Sequence, residues 1–221
     1  MRNAIVFLFV AAFIILQGCG IAGVSKRSNS DLSAWLIAGI GTVQPAPAEK
    51  AFRVTEGKAS KGLTLISPRP HGQNAVLRFK VKPERYEGVC VVLLAASDSR
   101  TGDLAIPANH DGAMGFWSEG TVQDYMFAFH TGFHQPNMYI KRNPGMTDIA
   151  QTKDTAAGQR WYDIEIGRAG ARLWMKVDGK TAVEGTDPSD GLQGGYMGIR
   201  LRGPGDGTFS CLFRDVTVRE K

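Results

Sequence analysis

The sequence predicts an all-β protein, an antiparallel two-sheet sandwich of the jelly-roll kind, and three observations carry that expectation. Past residue 50 no stretch keeps a 3.6-residue apolar period over three turns. Alternating or continuous apolar runs recur there every 8 to 15 residues instead. Glycine is abundant, 27 of 221 residues, and punctuates those runs as turns do. Short strands so spaced fold as two sheets that bury their inner faces against each other.

The chain opens on Arg2, followed by 13 apolar residues from Ala4 to Leu16 and then Leu16-Gln17-Gly18-Cys19. Thirteen apolar residues are too few for a spanning helix, which needs about 20. They suit the h-region of a signal peptide. The closing segment resembles the lipobox of bacterial lipoproteins, with Gly18 directly before Cys19 and Leu16 three positions before it. That resemblance implies cleavage before Cys19, a diacylglycerol thioether on its sulfur and acylation of its amino group. Residues 1–18 are therefore expected as a signal peptide and Cys19 as a lipid-modified membrane anchor. Several acyl chains, at about 0.8 kcal/mol per buried CH2, would hold the protein on a membrane durably. An aspartate after the cysteine resembles an inner-membrane retention signal. Gly20 stands there instead, so the expected location is the bacterial cell envelope, on the outer membrane in a Gram-negative host.

Residues 19–50 read as a lipid-anchored flexible tether. SKRSNS is polar, residues 33–40 suit a short helix or apolar segment, and QPAPAEK resembles an extended proline-rich linker. The folded domain is expected over 51–221. Within 75–82, Leu77, Phe79 and Val81 share one face and Arg78, Lys80 and Lys82 the other. Residues 89–95 run continuously apolar, as in a strand covered on both sides. Residues 124–130 alternate again, with Tyr125, Phe127 and Phe129 against Asp124, Met126, Ala128 and His130. Residues 161–166 and 172–177 are two further alternating stretches, and Asp178-Gly179 supplies a tight turn. The last run, 208–219, has Phe209, Cys211 and Phe213 in phase. Cys90 and Cys211 thus sit in apolar strands, where a disulfide and two buried thiols are equally open.

Removing residues 1–18 takes away Arg2 and no acid, so the formal charge falls from +5 to +4. That mild excess forms no lysine- or arginine-rich stripe, and nucleic acid is excluded as a partner. A single monomeric domain is expected, since about 170 residues can bury a substantial core.

The densest set of unusual residues spans 117–145. Its core HTGFHQPNMYIKRNPG, preceded by DYMFAF, resembles the YesU-like family of concanavalin A-like jelly rolls. YMGIRLRG and LFRDVTV suit that family's final strands, so the resemblance covers residues 60–219. It implies a galectin-like sandwich of bacterial polysaccharide utilisation, with carbohydrate as the partner and no particular reaction.

Physically, Asp124, Met126, Ala128 and His130 fall on one side of one strand. If that side forms a groove, His130 lies in it and Asp124 orients a neighbouring imidazole. Arg142 and Asn143 suit sugar hydroxyls or a uronate carboxylate, which arginine binds bidentately. Trp117, Tyr139, Trp161 and Trp174 offer faces for pyranose rings. A polysaccharide lyase would use Arg142 or Asn143 to neutralise a carboxylate and His130 or Tyr139 to abstract the proton. The basic residues Lys141, Arg142, Arg200 and Arg202 would suit an acidic glycan. A glycosidase needs two carboxyls roughly 5 to 9.5 Å apart. Glu119, Asp124, Asp163 and Glu165 are available, although Asp163 and Glu165 alternate with Tyr162, Ile164 and Ile166 as on a solvated face.

The expected site therefore has His130, Tyr139 and Asp124 in catalytic roles and Trp117, Arg142, Asn143 and Trp174 as substrate-binding residues. Carbohydrate binding, lyase chemistry and hydrolase chemistry stay open, beside a structural or protein-interaction lipoprotein without glycan activity. His130 and His134 have a ligand-like gap, but Gly132 and Pro136 argue against the helix that would align them, and no metal site is expected. No cofactor is expected either. Asn109-His110-Asp111-Gly112 and Asp187-Pro188-Ser189-Asp190 offer the oxygen ligands a structural calcium takes.

Overall fold

A computed structural model describes residues 31–132, 136–156 and 158–220. The signal peptide, Cys19 and His134 lie outside these residues. Among the described residues no helix is long and apolar enough to cross a membrane.

Two antiparallel sheets face each other. The first runs β1 (Leu36–Gly39), β4 (Leu63–Ile66), β13 (Tyr196–Arg202), β6 (Val89–Asp98), β7 (Val122–Phe129), β8 (Asn137–Asn143) and β9 (Thr147–Lys153). The second runs β12 (Lys180–Thr186), β11 (Arg172–Val177), β10 (Tyr162–Ala169), β5 (Asn74–Pro83), β14 (Ser210–Glu220), β3 (Ala51–Glu56) and β2 (Gly41–Ala46). The fold is the all-β sandwich that the alternating runs predict.

Period-two alternation sets the core. Leu77, Phe79 and Val81 of β5 turn inward, while Arg78, Lys80 and Lys82 stay partly exposed. Phe79 meets Phe129 at 6.3 Å and Phe213 at 5.7 Å between ring centroids, tying β5, β7 and β14 across the two sheets. Burying each such ring stabilises the fold by about 1.5–3 kcal/mol. Cys90 and Cys211 face each other from opposite sheets as free thiols, their Sγ atoms 3.6 Å apart inside this core.

Strand β6 is apolar on both sides because both are covered. Cys90, Val92 and Leu94 enter the core between the sheets. Val89, Val91 and Leu93 meet a second apolar cluster on the outer face of the first sheet, roofed by the segment 99–121 and its one-turn helix α1 (Gly115–Ser118).

The expected tether needs correction from residue 31 onward. Leu32 and Trp35 are buried in the core, β1 pairs with β4 in the first sheet, and β2 pairs with β3 in the second. Of the two prolines in QPAPAEK, Pro45 lies in the edge strand β2, which tolerates residues a central strand does not, and Pro47 opens a single 3-10 turn after it.

Candidate functional site

The outer face of the first sheet carries the residues that alternate away from the core. On β13, Met197, Ile199 and Leu201 point into the sandwich, leaving Arg200 and Arg202 on the outer face. Strand register then aligns one row: Thr64 on β4, Arg200 on β13, Val91 on β6, Ala128 on β7 and Tyr139 on β8. Neighbouring strands lie about 4.8 Å apart, so Arg200 and Tyr139 stand roughly 14 Å apart with Val91 and the small Ala128 between them. The low middle of the row helps open a groove of about 530 Å³. Val89, Met126, Met114 and Met146 add apolar walls, and Lys61 and Arg202 stand beside Arg200.

The charges in this groove are one-sided. Arg202 donates to Glu56 Oε1 at 2.8 Å, and the backbone N–H of Gly203 donates to the other oxygen at 2.6 Å. Lys61 pairs with Asp111 at 2.8 Å. Arg200 has no such partner: it is 2 % exposed, and Nη2 donates at 2.8 Å to the Lys61 carbonyl. Its Nη1 is buried without a hydrogen-bond partner among the described residues. Burial lowers the Arg200 pKa to about 10, still leaving the group protonated at neutral pH. Burial also raises the Tyr139 pKa, which keeps its phenol neutral. No aspartate or glutamate lines the groove among the described residues.

Of the residues expected in the site, Tyr139 alone lines this groove. Asp124, Asn143 and Trp117 belong to the same covered side of the sheet but have no access to solvent. Asp124 and Asn143 are register partners, with Asn143 Nδ2 donating to Asp124 Oδ1 at 3.0 Å. Burial raises the Asp124 pKa to about 8, against the weaker opposing effect of the Asn143 hydrogen bond. Trp117 is packed edge-on to Phe116, with centroids 4.9 Å apart, so its ring is part of the roof and not a platform for a sugar.

His130 leaves the row. Strand β7 ends at Phe129 and His130 takes a positive φ of 50°, so alternation stops one residue short of it. Its Nδ1 lies 2.7 Å from the Ala156 carbonyl oxygen and its Nε2 3.0 Å from that of Arg85. The ring stacks on Phe209 and is fully buried. Neither nitrogen is free to act as a base in this conformation. Arg142 bonds Asp187 at 3.1 Å and Ser189, and Asp187 accepts from the Tyr125 hydroxyl at 2.6 Å, a buried tie between β7, β8 and the segment after β12. Trp174 belongs to the second sheet, lying over Gly167 and donating to Glu165 at 2.9 Å. Trp161 is likewise remote, under the Arg214 guanidinium at 4.1 Å. The expected constellation is thus divided between the groove, the roofed face, the strand end and the opposite sheet.

The carboxylates divide similarly. Glu165 pairs with Arg78 and with Lys176, while Glu119 is exposed after α1. No group of three or more His, Cys, Asp or Glu side chains is placed to hold a metal among the described residues. In the two loops read as calcium-like, Asp111 and Asp187 already face Lys61 and Arg142.

Arg200, which the sequence offers only as one of four basic residues suited to an acidic glycan, proves to be the buried cation of the groove. Its signal is the alternation in YMGIRLRG, which puts both arginines on one face; the roof that buries that face has no local signal.

The chain matches no protein-family model and no curated protein sequence. Solved structures do match. A Bacillus subtilis protein of unknown function with a galectin-like fold has a TM-score of 0.75 at 14% identity, covering 90% of this chain and 98% of its own. The carbohydrate-binding module CBM66 from Bacillus subtilis has a TM-score of 0.58 at 13% identity, over 85% of this chain and 96% of its own. A Bacillus licheniformis β-glucanase reaches 0.54 at 9% identity, over 90% and 91%. At these identities the likeness concerns the fold, and the chain is a galectin-like, concanavalin A-like jelly roll.

Proposed function

We propose that this protein is an exported lipoprotein of the YesU-like kind that binds carbohydrate, without cleaving it, in the groove on the outer face of its first sheet. The observation that carries this reading is the groove itself. It sets a partly exposed tyrosine across from buried and half-buried cations, over a floor of apolar side chains, with no lining carboxylate among the described residues. Such a surface stacks and hydrogen-bonds a sugar, but it lacks the paired carboxyls of a glycosidase. The phenol of Tyr139, held neutral by burial, is a poor base and a good stacking face. That a carbohydrate-binding module shares the fold at 13% identity supports the reading by analogy alone.

The test is binding of the full-length protein, in mild detergent, to neutral and uronate-containing polysaccharides by calorimetry and affinity electrophoresis. Reducing ends and absorbance at 232 nm are followed in parallel. Binding without product is expected, and Tyr139→Ala is expected to weaken it about tenfold, the value of one aromatic stacking contact. Product formation that Tyr139→Phe abolishes would instead establish a lyase.

A further inference from the structure

Resting on the carbohydrate reading, we propose that the sugar taken is anionic, with its carboxylate or sulfate group seated on Arg200. A buried cation is ordinarily paired, because an uncompensated charge away from water is costly. Arg200 departs from that rule. Among the described residues no carboxylate lies within ion-pair distance of it, and the nearby Glu56 is already held by Arg202 and the Gly203 N–H. Lys61 and Arg202 on the same side are each already paired, with Asp111 and Glu56, and His110 close by offers no negative charge, so the charge of Arg200 stays unopposed.

The guanidinium is also fixed in place. It lies against the backbone at Gly62, where a Cβ would come within 2.1 Å of Nη1, and its Nη2 donates to the Lys61 carbonyl, so two contacts from one segment hold the head group. Nη2 is spent on the Lys61 carbonyl, and Nη1 is buried without an acceptor in a residue that lines the groove. Thr64, the register partner of Arg200 on β4, has a buried hydroxyl in the same condition. Thr64 does not itself line the groove; the unpaired guanidinium that does suits an oxyanion with several acceptor oxygens. A neutral sugar hydroxyl satisfies a donor but leaves the charge unopposed. Because the arginine is already ordered, an arriving anion restricts little side-chain freedom.

The test pairs ligands that differ only in charge. Full-length protein in mild detergent is titrated with hexamers of galacturonate, mannuronate and guluronate beside their methyl esters, and with sulfated beside desulfated agaro-oligosaccharides. The first pairs report a carboxylate and the last a sulfate ester. An affinity for the charged member at least about tenfold higher is expected, shrinking as salt is raised. Arg200→Met is expected to close that gap while leaving the thermal midpoint unchanged or higher, since it removes an unpaired buried charge. If that variant does not fold, the charged and esterified ligands on the unaltered protein still decide the matter. Equal affinity for both members of every pair would overturn the anionic assignment and leave carbohydrate binding standing. No binding to any glycan in either form would overturn both.

Discussion

Asp124 shows how far a single residue's role depends on what covers it. Its carboxyl is fully buried, bonded to Asn143, and pushed up to about 8 by desolvation. The folded protein therefore holds a proton on Asp124 at pH values where the unfolded chain, with a pKa near 3.8, has released it. Stability contributed through this group is greatest below about pH 4 and declines as pH rises towards 8, because the unfolded state is favoured by losing the proton first. Asp124→Asn removes that titration and keeps the shape. The variant is expected to be more stable than the parent at pH 8 by at least about 1 kcal/mol, with a smaller difference at pH 5. Thermal melts of both proteins at the two pH values measure it, and an identical pH dependence would show that Asp124 is ionised in the fold. The sequence motif brings Asp124, Asn143, His130 and Tyr139 to notice correctly as unusual residues. Their faces are another matter. Alternation predicts Asp124 and His130 on one side, and the positive φ at His130 breaks it at the last step.

At the scale of elements, alternation makes β5, β7, β10, β11 and β14 legible and a continuous apolar run marks β6, and both signals fail where edge strands begin. Strands β1 and β2 fall where the sequence reads as a short helix or apolar segment over 33–40 and a proline-rich linker from Gln44. Pro45 sits opposite Phe52 in β2, at the edge of the second sheet, where a missing N–H is tolerated. Gly39, at φ 101°, passes so close to Gly62 that a Cβ would come 2.2 Å from its carbonyl oxygen. These residues carry the chain from one sheet to the other, and Leu32 and Trp35 fill the core just before them. A chain begun at residue 51 loses all of that. Losing the buried Leu32 and Trp35 side chains alone is expected to cost about 5 kcal/mol or more, comparable with the whole stability of many domains. Near-UV circular dichroism and thermal melting should show a molten or aggregated product from residue 51 and a cooperative fold from residue 31. Equal melting of the two would mean that β1 and β2 are dispensable.

For the molecule as a whole, the groove and the chain's point of entry lie on different sheets. Asp31 lines a depression with Pro47, Lys50, Phe52 and Arg214, around the strands of the second sheet, whereas the groove opens on the outer face of the first. Eleven residues, 20–30, separate Cys19 from Asp31 and keep the two within about 40 Å of each other. Were Cys19 lipid-anchored as proposed, a domain tethered near its second sheet and open at its first would leave the groove free to meet an extended polymer. Anchoring and binding are then separable functions, which makes the anchor testable on its own. Expressed in a bacterial host fed a radiolabelled fatty acid, the full-length protein is expected to take up label and sediment with membranes. Cys19→Ala is expected to lose the label and leave the membrane fraction, while its affinity for any glycan the parent binds stays within about twofold, since Cys19 lies outside the groove. Unlabelled parent protein, or a Cys19→Ala variant still firmly membrane-bound, would mean that the N-terminus is not processed as a lipoprotein and that its attachment has another basis.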